Sequence, residues 1–139
     1  MKWAGLTRIS SQNFTVVRDA FRTFNTQGID AALSFFGHDL VWYTTDRWVD
    51  GSAYRGHDGM RRLTAAFTEN FDDLRFEVGD IRDAQDRVVA LIHMVGRIKG
   101  SESPISQPVG LVVSDFRSGT FGEVRAFATW DEALSMKKG

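Results

Sequence analysis

His93 is the residue best suited to moving a proton. It interrupts the apolar run Val88-Val89-Ala90-Leu91-Ile92-His93-Met94-Val95. Imidazole titrates near neutral pH and can both give and take a proton. If this run is a strand, alternation puts His93 on one face with Val89, Leu91, Val95 and Arg97. Val88, Ala90, Ile92, Met94 and Ile98 take the other face. A polar ring among aliphatic neighbours is costly unless something uses or satisfies it. The competing reading is a histidine that only completes its own hydrogen bonds. Arg125 is the second candidate. It shares a face with Phe127 and Thr129, and its donor fork suits a carboxylate or an oxyanion. The rival reading lets its side chain reach solvent past apolar neighbours. Asp46 is the third, in a segment with Arg47, Trp48 and Tyr54 that could cover a pocket. Trp42 and Thr44 share one face of an extended segment and could form a wall for a flat apolar ligand. Ordinary core packing is the simpler account of such rings.

Other chemistry finds no support. The chain has no cysteine, which removes disulfides, zinc-thiolate sites and a cysteine nucleophile. That composition fits a cytoplasmic setting. His38-Asp39 and His57-Asp58 resemble metal dyads only in composition, and no His-Glu-x-x-His or helical i, i+4 histidine pair occurs. No metal or organic cofactor is expected. Gly119-Thr120-Phe121-Gly122 lacks basic flanks and reads as a turn rather than a phosphate cradle. No serine carries a triad signal. The 17 basic and 18 acidic residues nearly cancel, which argues against nucleic acid and gives no pull toward anionic membranes. No apolar run reaches the ~18 residues of a membrane helix, and no signal-peptide pattern opens the chain.

The elements that would position these residues follow from periodicity. Residues 1–12 read as a lead-in or short arm, with Asn13 capping a helix that carries Phe14, Val17, Phe21 and Phe24. Gln27-Gly28 breaks it. Asp30 caps a short second helix that Gly37 stops. Leu40 to Thr45 reads as a strand, and Asp46 to Gly56 as a loop. Met60, Leu63, Phe67 and Phe71 mark a third helix over 57–71. Strands are expected over 75–81, 87–99, 109–116 and 124–129. A polar connection, Gly100 to Pro108, would hold both prolines, and a turn would span 117–122. Asp131 caps a terminal helix through Met136. This is an α+β domain, with all helices on one face of a twisted sheet that closes into a cone around an apolar pocket. The chain of 139 residues fits one domain, 42% hydrophobic, with 11 Phe to line a cavity.

The order of elements and several local sequences resemble the SnoaL-like group of the nuclear-transport-factor-2-like superfamily. The pieces are Gln27-Gly28-Ile29-Asp30-Ala31-Ala32, Tyr54-Arg55-Gly56-His57-Asp58-Gly59, Asp86-Arg87-Val88-Val89-Ala90-Leu91, Gly122-Glu123-Val124 and Asp131-Glu132-Ala133-Leu134. They span about residues 13–136 and are fold signatures rather than catalytic motifs. The resemblance implies a helix-wrapped cone with the His93 face turned into its cavity. The superfamily holds ketosteroid isomerases, limonene epoxide hydrolases, polyketide cyclases and non-catalytic binders. At the isomerase positions this chain has Phe21, Thr44 and Val112. At the hydrolase positions it has His93, Val95 and Ala126. At the cyclase positions it has Phe127 and Thr129. None supplies the expected acid or base.

Two functions are therefore carried forward. One is an enzyme acting on a hydrophobic carbonyl compound, polyketide- or steroid-like. His93 would move the proton and Arg125 or Asp46 would polarise, with Trp42, Thr44, Tyr54, Phe127 and Thr129 contacting the ligand. The other is a non-catalytic binder of a hydrophobic small molecule. In either case a homodimer is expected through the convex sheet face, assigned to Val88, Ala90, Ile92, Met94 and Ile98.

Overall fold

The computed structural model describes residues 2–44, 53–83 and 86–136, with side chains from residue 13 to residue 135. The first helix, α1, runs from Lys2 to Gln27, so the expected arm and the cap at Asn13 are both corrected. No proline interrupts the sequence from Lys2 to Gln27. Gly28, at φ 91°, ends α1. Its N–H donates to Phe24 O at 2.9 Å, and its positive φ is one that glycine adopts without a steric penalty.

Next comes α2 (Ile29–Ala32), and a 3-10 turn over Leu33–Phe35 leads directly into β1 (Phe36–Tyr43). The strand thus starts before Gly37, which lies inside it rather than stopping a helix. A short β2 (Ala53–Arg55) pairs with β1, so the expected loop gives up its last residues to a strand. Then follow α3 (Gly56–Thr68), β3 (Phe71–Asp83), β4 (Arg87–Ile98), β5 (Pro104–Arg117), β6 (Thr120–Phe127) and α4 (Trp130–Met136).

Phe71 therefore opens a strand rather than closing a helix. Both prolines lie within β5 instead of a connection. Pro108 pairs with His93 of β4, whereas the β6 ladder reaches only as far as Gly110. At Pro108 the strand has one neighbour, a position where a missing N–H is tolerated.

The sheet order is β2-β1-β6-β5-β4-β3. β1 and β6 run parallel and the other pairs antiparallel. Register shifts in β3 between Asp72 and Arg75 and between Val78 and Asp80 bend that strand and curl the sheet. The concave face packs Leu40, Val88, Ala90, Ile92, Leu111, Val113 and Val124 against Val17 and Phe21 of α1 and Met60 and Leu63 of α3. This reverses the sequence assignment of the faces. Val88, Ala90, Ile92 and Met94 of β4 are buried in the core, Ile98 at the strand's end is exposed, and the His93 set is convex. α4 also departs from expectation. Its Ala133 packs with Val89 and Val112 on the convex face, opposite the other helices.

Candidate functional site

Between α1, α3 and the concave sheet lies a cavity of about 80 Å3. Its deep part is formed by Ile92 of β4, Leu111 of β5, Phe121 of β6 and Phe36 of β1, with Phe21 from α1. Buried Met60, Leu63, Met94 and Val109 also line it, together with half-buried residues that include Trp42, Thr44, Thr64, Phe67 and Leu74. Two aromatic clusters shape it. Phe76 lies 5.4 Å from Phe24, 5.8 Å from Phe67 and 6.2 Å from Phe21, centroid to centroid. Phe36 and Phe121 meet edge-on at 5.3 Å. These are favourable ring geometries, so the walls are held by their own packing.

The lining among the described residues holds no ionisable side chain. Of the described residues that line it, only Trp42, Thr44 and Thr64 carry a side-chain nitrogen or oxygen, and almost none of the cavity surface is polar. Thr64 donates to Met60 O one turn back, at 2.9 Å. The arrangement offers dispersion contacts and disfavours an unpaired charge.

The structure disperses the catalytic candidates read from the sequence. His93 lies on the convex face, where it pairs with Glu77 across the ladder. Its ring fills the space above Gly79, 3.4 Å from where a Cβ there would sit. Arg125 is also convex. Its Nε donates to Glu123 at 3.1 Å, and its guanidinium stands 4.2 Å from the Tyr43 ring centroid, a cation–π contact. Asp46, with its neighbours Arg47 and Trp48, lies outside the described residues.

Of the expected ligand contacts, Trp42 and Thr44 do line the cavity. Tyr54 pairs with Trp42 across β1 and β2 and packs on the core without joining the lining. Phe127 packs on the convex side with α4. Thr129 is a helix cap. Its Oγ1 accepts from Glu132 N at 3.2 Å and donates to Glu132 Oε1 at 3.0 Å, in the Thr-x-x-Glu pattern of a capping box. Thr129 therefore takes the capping role expected of Asp131. The sequence reading missed Thr64, whose signal was a threonine four residues after Met60 inside an apolar helical stripe.

Two further polar features lie away from the cavity. His38 and His57 approach to 5.2 Å between ring centroids, and His57 Nε2 donates to Phe36 O at 3.0 Å. No cluster of three metal-ligating side chains occurs among the described residues. Asp83, at the end of β3, has one buried oxygen without a hydrogen-bond partner, and burial pushes its carboxyl above the ordinary value.

The curled sheet and the helices α1 and α3 packed on its concave face define a cone-shaped α+β fold around an apolar cavity. The chain belongs to the SnoaL-like domain family, whose model matches residues 17–124. Solved structures agree in fold. A hypothetical protein with a ketosteroid isomerase-like fold from Catenulispora acidiphila, in complex with trimethylamine, is 15% identical. It superposes with a TM-score of 0.71 over 88% of this chain and 92% of its own. An NTF2-like protein from Burkholderia thailandensis is 16% identical, with a TM-score of 0.74 over 91% and 97%. The epoxide hydrolase/cyclase-like enzyme SalBIII, of pyran ring formation in the polyether salinomycin, is 16% identical, with a TM-score of 0.70 over 86% and 92%. A search of curated proteins finds no match. No helix among the described residues is long and apolar enough to cross a membrane.

Proposed function

We propose that this chain binds a small, neutral, largely apolar molecule in its cone. The observation that carries this reading is the lining itself, which has aromatic and aliphatic walls and no ionisable side chain among the described residues. A carboxylate ligand would lose its hydration with no opposite charge to meet it. A ring the size of toluene would remove roughly 150 Å2 of apolar surface from water. That contributes about 4 kcal/mol and corresponds to a Kd on the order of 1 mM. Isothermal titration of the full chain with toluene tests this. Saturable one-to-one binding in that range is expected, and no binding at the solubility limit of toluene would overturn it.

An enzymatic reading, on a hydrophobic carbonyl compound, retains one supporting observation. Thr44 lines the cavity, and Asp46 follows it two positions later in the chain. His93 and Arg125 lie on the other face, which leaves this reading without its proposed proton carrier. A polyketide- or steroid-sized substrate would also need a cavity of several hundred Å3, against about 80 Å3 here. That size difference favours binding of a smaller molecule. The assembly we propose is a homodimer on the convex face. It would use half-buried Leu91 and Val95 together with Phe127, rather than the core residues first assigned to it.

A further inference from the structure

Two histidines far apart in the sequence meet in the structure. His38 lies in β1 and is exposed, while His57 lies in the first turn of α3 and is half-buried. Gly56 permits the approach. Its φ is 67°, and a Cβ added there would stand 3.3 Å from His38 O. Glycine therefore lets the chain turn into α3 close against the strand. The ring centroids come to 5.2 Å, with the planes inclined at 32°. Two imidazoles bound to one tetrahedral ion, each nitrogen about 2.0 Å from it, have ring centres roughly 5 Å apart. The pair thus stands at chelating distance. His57 also has the tautomer that a metal needs. Phe36 O can only accept, so Nε2 carries the hydrogen of their 3.0 Å bond. Nδ1 of the neutral ring then keeps its lone pair. A backbone carbonyl on the other ring nitrogen is a common support of a metal-ligating histidine. His38, at the surface, can rotate about its side-chain bonds to bring a nitrogen alongside.

From this geometry we infer that His38 and His57 form a two-histidine site for a divalent transition-metal ion of the zinc, nickel and copper class. Neutral imidazole nitrogens suit these ions, whereas magnesium and calcium take oxygen ligands. No third metal-ligating side chain joins the pair among the described residues. Asp58, next to His57, is held by Arg61 at 3.1 Å, so water fills the remaining positions. In the sequence the two His-Asp dipeptides offer no ligand set, because the residues that meet are one histidine from each. Neither histidine lines the cone, and the site does not depend on what the cone binds.

Calorimetric titration of the full chain with zinc chloride at neutral pH tests the site. His93 is the third and last histidine of the chain and serves as the control. One zinc ion per chain should bind, and magnesium chloride at the same concentration should not. Losing a supporting partner of a metal ligand costs roughly tenfold or more in affinity, and losing a ligand should cost no less. His38→Ala should therefore weaken zinc by at least about tenfold, while His93→Gln leaves it within about twofold. His38 is exposed, so its replacement spares the core. A second readout needs no variant. In the native protein zinc should shift the ring-proton NMR signals of His38 and His57 and leave those of His93 in place. Absence of saturable zinc binding in the millimolar range would overturn the inference. So would zinc affinity unchanged in His38→Ala, or zinc-induced shifts confined to His93.

Discussion

The imidazole of His93 has the chemistry of an acid or base but not the position, because its ring lies over Gly79 on the convex face. His93→Gln should therefore leave toluene affinity within twofold of native, measured by calorimetry. A tenfold loss would mean that the convex face takes part in binding. Asp83 makes a pH prediction. Its folded-state pKa is raised by burial, so the folded protein holds this proton more tightly than the unfolded chain. Stability from this group is fully present below the unfolded carboxylate pKa and is lost as pH rises through the raised folded value. Asp83→Asn should stabilise the protein at neutral pH by at most about 0.5 kcal/mol, since the carboxyl is only partly buried and solvent screens its charge. The gain should disappear at acid pH. Urea denaturation at both pH values checks this, and a neutral-pH loss would contradict it.

At the scale of elements, much of the fold is readable because its signals are local. The stripe Met60, Leu63 and Phe67 marks α3, and Gly28 marks the end of α1. What alternation could not settle is which face of β4 turns inward, since both faces are rich in aliphatic residues. The deciding physical signal was the uniformity of Val88, Ala90, Ile92 and Met94 against a set that includes His93 and Arg97. Reversing the faces carried Arg125 and Phe127 out of the cavity along with His93. The roles of Pro108 and Thr129 depended on where β6 ends, a nonlocal fact. α4 is held by two devices that can be tested separately. Thr129→Ala removes the capping hydroxyl and should cost about 1 kcal/mol. Gly110→Ala would bring its Cβ to 2.6 Å from Ala133 Cβ and 2.9 Å from Thr129 O. It should lift α4 off Val89 and Val112 and cost about 1–3 kcal/mol by overpacking. Chemical denaturation of the two variants gives the magnitudes. A silent Gly110→Ala would mean that α4 is not seated there.

The whole molecule presents two apolar surfaces of different kinds. The concave one is enclosed by α1 and α3, while part of the convex one is left half-buried in the single chain, around Leu91 and Val95. Pairing of two convex faces would cover it, with the ion pairs Arg75–Glu77 and Arg125–Glu123 lying on the same face. Leu91→Asp should then shift sedimentation from dimer to monomer and leave toluene binding in place, since the two surfaces are separate. A monomeric native chain at high micromolar concentration would contradict the dimer and leave the cavity untouched. The cavity carries the central claim, and a crystal structure of the protein soaked in toluene tests it most directly. The account predicts one ring of density within the cone, bounded by Phe21, Phe36, Trp42 and Phe76. An empty cone, or toluene bound only on the convex face near His93, would contradict it.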